Sequence, residues 1–84
     1  MTQLLLEMPE SAFAAVHQAP EEFALEMRIA AAVKWYELGR CSQGRAAEIA
    51  GLTRAGFIDA LSRYRVSPFQ YTAEEVAEEL RDAD

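Results

Sequence analysis

The feature that most constrains the fold is a pair of short helical patterns separated by only about three residues. Residues 46–61 read AAEIAGLTRAGFIDAL, in which small alanines precede Gly51 and larger apolar residues follow it. Gly51 suits the left-handed turn that ends a helix, and Thr53 suits the cap of the next helix. Because a link this short forces two helices to cross steeply, the sequence predicts a helix-turn-helix over residues 42–64.

The two helices of this unit have different starts and faces. Ser42 is expected to cap the first helix through its hydroxyl, and that helix should end near Ala50. On the second helix, apolar residues recur at the spacing of a core-facing stripe, namely Phe57, Ala60, Leu61 and Tyr64. The outward face then carries Arg54, Ala55, Ile58, Asp59 and Ser62.

A short apolar run at the N-terminus predicts a β-strand. Residues 3–8 read QLLLEM, and Pro9 follows them without an amide proton for a ladder. One short strand needs a pairing partner, and no second convincing strand lies nearby in the sequence. We therefore expect the same strand of a second copy to pair with it, which makes a homodimer the first structural hypothesis.

Two further helices are predicted between this run and the helix-turn-helix. The first covers Glu10–His17, and the second covers Pro20–Leu38. Proline and two glutamates suit the first turn of the longer helix, and Gly39 suits its end. Apolar residues occupy two stripes of the longer helix, so we expect it to lie centrally and contact more than one neighbour.

The C-terminal part, residues 66–84, is predicted to be an extended segment followed by a short acidic helix. Pro68 lies among alternating apolar residues, and Thr72 with Glu75 forms a capping box. The 84 residues are thus expected to fold as a single, mostly α-helical domain. Its expected parts are a short N-terminal strand, a central long helix, the helix-turn-helix and a short C-terminal helix.

Charge is strongly segregated along the chain. The net charge is −6, which by itself disfavours binding to phosphate. Residues 1–39 carry a net −4 and residues 67–84 a net −5, whereas residues 40–66 carry five arginines and two acids, a net +3. The basic block coincides with the predicted helix-turn-helix, as an acidic protein requires if one face is to meet DNA.

This coincidence defines a candidate DNA-binding site. Arg54 opens the second helix, where a recognition helix meets base edges and an arginine can grip guanine. The full candidate set is Arg40, Ser42, Arg45, Thr53, Arg54, Arg63 and Arg65. Two outward residues oppose this interpretation, because Ile58 is apolar and Asp59 would repel phosphate. The alternative is a solvated arginine face on a helix pair that serves only as a scaffold.

The inventory of reactive side chains argues against an enzyme. The sequence has one histidine, His17, and one cysteine, Cys41. It has no glycine-rich phosphate loop, and no Cys/His spacing suits zinc. We therefore expect no catalytic residue, no metal and no cofactor. No apolar run approaches the length of a membrane span, and the N-terminus lacks the features of a secretory signal. These observations favour a cytoplasmic protein.

The C-terminal segment is a candidate site for a protein partner. The sequence PFQYTAEEVAEEL combines aromatic residues, an apolar stripe and a dense acidic face, which suits docking onto a basic protein surface or a catalytic groove. The candidate contacts are Phe69, Tyr71, Glu75, Val76, Glu79 and Leu80. The same features also suit a half-buried, solubilising terminal helix, and both interpretations stay open on the residues alone.

The order of these segments resembles uncharacterised protein family 0175, a set of small prokaryotic proteins. The resemblance is most specific between Tyr36 and Leu61, where the run G-R-x-S-x-G-x-A-A-E-x-A-G occurs. It implies a helix-turn-helix antitoxin that binds double-stranded DNA and neutralises a PIN-domain ribonuclease toxin encoded beside it. This sequence departs from the family pattern on the outward face of the second helix, where Ala55, Gly56 and Ile58 are small or apolar. The rival hypothesis is a protein-interaction module that does not bind DNA.

Overall fold

The computed structural model describes residues 2–69, and within them the chain forms four helices. These are α1 (Glu10–Val16), α2 (Pro20–Glu37), α3 (Gln43–Ala50) and α4 (Arg54–Arg63). Each lies where the sequence pattern predicts a helix, so the mostly α-helical class is confirmed. The predicted C-terminal helix falls outside the described residues, as do Tyr71, Glu75, Val76, Glu79 and Leu80.

The predicted N-terminal strand is wrong. Residues 2–9 form neither a strand nor a helix, and the side chains of Leu4 and Leu5 are 83% and 93% exposed. A strand is stabilised by its lateral neighbours, and residues 2–69 contain no other strand that could pair with this run. An apolar run alone therefore does not specify a strand, and the homodimer hypothesis loses the pairing on which it was based.

Helix α1 forms a small hairpin with the start of α2. His17 ends α1 in the left-handed conformation, with φ of 55°. The rings of Phe13 and Phe23 then pack edge to face, with centroids 5.0 Å apart. At the start of α2, Pro20 occupies the first turn, and the Ala19 amide donates to Glu22 Oε1 at 3.4 Å. Gln18 Nε2 also donates to Glu26 Oε2 at 2.6 Å, so a hydrogen bond supports the aromatic pair of the hairpin.

The core forms where α2 packs against α3 and α4. Alanines on α2 and α3 let the helices approach closely, and the rings of Tyr36 and Phe57 meet perpendicularly with centroids 5.9 Å apart. The central position predicted for α2 is confirmed by these contacts. The buried apolar residues are Ala32, Val33, Tyr36, Ala46, Ala47, Ala50, Phe57, Ala60, Leu61 and Val66.

Tyr64 departs from the predicted core stripe of α4 and is 40% exposed. Helix α4 ends at Arg63, and Arg65 adopts the left-handed conformation with φ of 58°. The Val66 amide then donates to the Leu61 carbonyl at 2.9 Å. This reversal directs Val66 into the core, because the helical spacing no longer applies beyond Arg63.

The residues predicted to cap α3 and α4 do so. Ser42 Oγ accepts a hydrogen bond from the Arg45 amide at 3.1 Å, and Thr53 Oγ1 accepts from the Gly56 amide at 3.0 Å. Gly51 ends α3 with φ of 72°, in the left-handed region that favours glycine. Three residues, 51–53, thus separate α3 from α4. No helix among residues 2–69 has both the length and the apolar character needed to cross a membrane.

Candidate nucleic-acid interface

The outward face of α4 is exposed to solvent, as the helical spacing predicts. Arg54, Ala55, Asp59 and Ser62 are exposed, and the apolar Ile58 is 39% exposed beside them. The opposite face of α4 is buried through Phe57, Ala60 and Leu61. Helix α4 therefore presents one solvent-facing side that begins with an arginine at its N-terminus.

Arg54 is held by a buried side chain of α3. Its Nε donates to Gln43 Oε1 at 2.8 Å, and Gln43 is only 2% exposed. Gln43 Nε2 donates in turn to the Pro68 carbonyl at 3.0 Å. A guanidinium bonded to a buried amide has a restricted orientation, so Arg54 is presented at the start of α4 in a defined plane.

The beginning of the C-terminal segment lies against the same place. The Tyr36 hydroxyl donates to the Pro68 carbonyl at 2.9 Å, so two buried donors meet one backbone oxygen. A shallow pocket of about 370 Å³ lies here, lined by Gln43, Arg54, Ile58, Pro68 and Phe69. Phe69, a predicted partner contact, is 84% exposed.

The other candidate arginines surround the helix pair in different settings. Arg40 and Arg65 are exposed in the connections before α3 and after α4. Arg45 is exposed on α3 and forms an i,i+3 ion pair with Glu48 at 3.2 Å. Arg63 lines an open groove with Glu22 and Glu26 of α2, two carboxylates that lower the positive potential around it.

The two candidate hydroxyl residues have opposite exposures. Ser42 is completely buried, and its oxygen is used as the cap of α3. We therefore correct its predicted role: Ser42 is a capping residue, and it does not belong to the exposed interface. Thr53 is exposed, and a hydroxyl that accepts from the Gly56 amide can still donate its own hydrogen to a phosphate.

Arg28, which no sequence pattern singles out, connects α2 to the end of α3. Its Nε donates to the Ile49 carbonyl at 2.9 Å, and its Nη2 donates to the Glu48 carbonyl at 3.4 Å. A cation near a helix C-terminus also interacts favourably with the helix dipole. Arg28 lies more than twenty positions before Ile49, and no local pattern indicates such a contact.

The reactive side chains of the described residues are dispersed. Among residues 2–69, no cluster of three or more His, Cys, Asp or Glu residues that could hold a metal ion occurs. Cys41 is partly buried and packs against the core, as a small apolar residue does.

Fold and surface together define a small helical protein whose two-helix corner exposes arginines. The sequence pattern of the Uncharacterised protein family (UPF0175) matches residues 1–84, and the chain belongs to this family. A UPF0175 protein of Aeropyrum pernix is 35% identical over 81 residues, which cover 96% of this chain and 85% of the relative. No solved structure matches the chain.

Proposed function

We propose that the protein is a DNA-binding transcriptional regulator that uses the α3–α4 pair as a helix-turn-helix. The observation that carries this proposal is the exposed face of α4, which begins with an arginine held in a defined orientation. The surrounding residues 40–66 carry a net charge of +3 in a chain of net charge −6. This segregation lets one side of an acidic protein approach phosphate.

In this function, α4 enters the major groove with its N-terminus toward the bases. Arg54 donates two parallel hydrogen bonds to a guanine, while Arg40, Arg45 and Thr53 contact backbone phosphates. Asp59 lies further along the same face and accepts from a cytosine amine or else opposes binding through repulsion. This function needs no catalytic group, metal or cofactor, and it is carried out in the cytoplasm.

A titration of DNA by fluorescence anisotropy tests the proposal. The DNA is the protein's own promoter and a scrambled duplex of equal length, each measured across a series of salt concentrations. Arginines that bind phosphates release the cations condensed on the DNA, so the affinity should fall steeply as the salt concentration rises. The promoter should also bind more tightly than the scrambled duplex. An absence of binding even at low salt would leave the protein-interaction alternative.

Two matched variants identify the surface. Arg45 and Lys34 each belong to an exposed i,i+3 ion pair, with Glu48 at 3.2 Å and Glu37 at 2.8 Å. Arg45→Ala and Lys34→Ala therefore change the net charge equally, but only Arg45 lies in the helix pair. Arg45→Ala should lower affinity and reduce the salt slope by about one unit per lost phosphate contact. Equal losses in both variants would show that DNA responds only to net charge.

We further propose that this regulator is the antitoxin of a toxin–antitoxin pair and neutralises a PIN-domain ribonuclease through its C-terminal segment. The supporting features are the exposed Phe69 and the acidic sequence after it. The test is RNA cleavage by the nuclease encoded next to this gene, with and without the full-length protein. Phe69→Ala should weaken inhibition, whereas Leu38→Ala, which truncates an exposed leucine elsewhere, should not.

The alternative function is a protein-interaction module in which α3 and α4 serve as a scaffold. The exposed apolar residues Ile58 and Phe69 favour it, because they suit a protein surface better than a phosphate backbone. Inhibition of the nuclease without any DNA binding would support this alternative. A homodimer also belongs to the proposal, since helix-turn-helix proteins commonly bind paired half-sites, and sedimentation across a concentration series tests it.

A further inference from the structure

We propose that Gln43 is a positioning residue that orients Arg54 for DNA and couples that orientation to the start of the C-terminal segment. The inference rests on the proposed DNA-binding function and extends it to regulation. In this proposal, the buried amide of Gln43 connects Arg54, which faces the DNA, with the C-terminal segment, which is expected to bind the partner. The link consists of three hydrogen bonds that join Tyr36, Pro68, Gln43 and Arg54.

Gln43 is buried although it opens α3. A glutamine at the first position of a short helix can extend into solvent, yet this one is only 2% exposed. Burying a primary amide is unfavourable unless both of its ends are hydrogen bonded. Here the carbonyl end accepts from Arg54 and the amino end donates to Pro68. The planar amide is therefore fixed by a partner at each end.

The buried amide of Gln43 in turn restricts the orientation of Arg54. Its Nε carries one hydrogen, and the bond from this atom to Gln43 Oε1 is 2.8 Å long. A bond through Nε restricts the plane in which the whole guanidinium lies. Bidentate recognition of guanine depends on that plane, because two N–H groups must meet two base acceptors together. Gln43 thus acts on base recognition through Arg54 and does not itself contact the base.

Pro68 connects this hydrogen-bond network to the C-terminal segment. The Pro68 carbonyl accepts from Gln43 at 3.0 Å and from the completely buried Tyr36 at 2.9 Å. The exposed Phe69 follows directly and lines one pocket with Arg54. A partner that binds Phe69 and shifts the chain moves the Pro68 carbonyl away from the Gln43 amino group, which then loses its acceptor. Because coupling between two sites is reciprocal, DNA held by Arg54 also alters the affinity for the partner.

Nuclear magnetic resonance of the Arg54 side chain tests positioning without DNA. The Nε–H proton should exchange slowly with water in the wild-type protein, because it donates to a buried acceptor. Gln43→Met keeps the approximate size of the side chain and removes both hydrogen bonds, so exchange should accelerate. Gln43→Glu loses the donor to Pro68 but offers Arg54 a charged acceptor, and this stronger bond outweighs the lost link, so the Nε–H proton should stay slow. An unchanged exchange rate in Gln43→Met would overturn the positioning role.

Coupling to the C-terminal segment is tested by Tyr36→Phe, which removes one donor to the Pro68 carbonyl and leaves Gln43 and Arg54 unaltered. We expect faster exchange at Arg54 Nε, between the rates of wild type and Gln43→Met. An exchange rate equal to that of the wild type would overturn the coupling. Thermal unfolding verifies that each variant is folded, and Tyr36→Phe still tests the network even if Gln43→Met does not fold.

The affinities for promoter and scrambled DNA test whether the orientation of Arg54 affects DNA recognition. The preference of Gln43→Met for promoter over scrambled DNA should fall about tenfold, within the range that one bidentate base contact confers. Affinity for the scrambled duplex should be unchanged, because phosphate contacts remain. Equal losses on both duplexes would contradict positioning. A wild-type protein that binds neither duplex would refute the proposed function, whereas the Arg54 exchange measurement would still decide the positioning role separately.

Discussion

The guanidinium of Arg28 lies against Gly51, with Nη1 only 3.1 Å from the point that a Cβ on Gly51 would occupy. The same guanidinium donates through Nε to the Ile49 carbonyl at 2.9 Å, so it is held at the last turn of α3. Gly51 itself has φ of 72°. The turn between α3 and α4 is therefore restricted both by backbone conformation and by the space available beside it.

Gly51→Ala should lower the free energy of unfolding by about 1–2 kcal/mol, because a Cβ is strained in the left-handed region. Crowding against Arg28 should add to this loss. Urea denaturation measures both contributions if the substitution is made in wild-type and Arg28→Ala backgrounds. The cost should be smaller in the second background, where the guanidinium is absent. An equal cost in both would show that the close approach to Arg28 has no energetic effect.

Arg28→Ala should lower the free energy of unfolding by about 1 kcal/mol, because two carbonyls at the end of α3 lose a charged donor. The side chain is exposed, which keeps the loss modest. Lys34→Ala is the matched control, since it removes a cation of α2 whose ion pair with Glu37 is local. That control should cost less than about 0.5 kcal/mol. Similar losses in both variants would contradict a specific role for Arg28.

Arg65→Gly should raise the free energy of unfolding by about 0.5–1 kcal/mol, the opposite sign to Gly51→Ala. Arg65 has φ of 58°, a conformation in which glycine avoids the Cβ strain. The gain is reduced because glycine also makes the unfolded chain more flexible. Thermal and urea unfolding measure the change. A loss of stability would indicate that the side chain of Arg65 makes contacts that outweigh the strain.

Arg54→Ala should reduce discrimination between promoter and scrambled DNA by about 1–3 kcal/mol and leave the helices folded. The reason is that a bidentate contact to guanine distinguishes bases, whereas a phosphate contact does not. Anisotropy titrations with both duplexes measure the difference, and circular dichroism verifies the helices. A uniform loss of affinity on both duplexes would identify Arg54 as a phosphate contact.

Asp59→Asn should increase affinity for DNA several-fold, because it removes a negative charge from the exposed face of α4. Glu21→Gln makes the same change in net charge at the start of α2, outside the helix pair, and should have a smaller effect. The two variants are compared at low salt, where such differences are largest. A loss of affinity in Asp59→Asn for one DNA sequence alone would instead indicate that the carboxylate accepts a hydrogen bond from a base.

The positions of the helices could be predicted because their ends are encoded locally. Ser42 and Thr53 cap the helices that follow them, and Gly51 adopts the left-handed conformation at the end of α3. The end of α4 lacks such a signal, since Arg65 occupies the left-handed position where glycine is usual. Helical spacing alone therefore places Tyr64 in the core, whereas Val66 occupies the buried position in the structure.

The contacts that shape the candidate site could not be predicted because they join distant parts of the chain. Gln43 meets Pro68 across 25 positions, and Arg28 meets Ile49 across 21. Neither periodicity nor capping patterns specify such pairs, which depend on how α2, α3 and α4 pack together. The N-terminal run was mispredicted for the same reason, since a strand also depends on a distant partner. Its leucines match a strand pattern, but no strand among residues 2–69 pairs with it.

Both donors that meet at Pro68 bond to a main-chain oxygen, which every amino acid possesses. The attachment is therefore indifferent to the side chains that come after it. Substitutions after Pro68 can therefore change the side chains of the segment without removing the acceptor through which Tyr36 and Gln43 hold the chain.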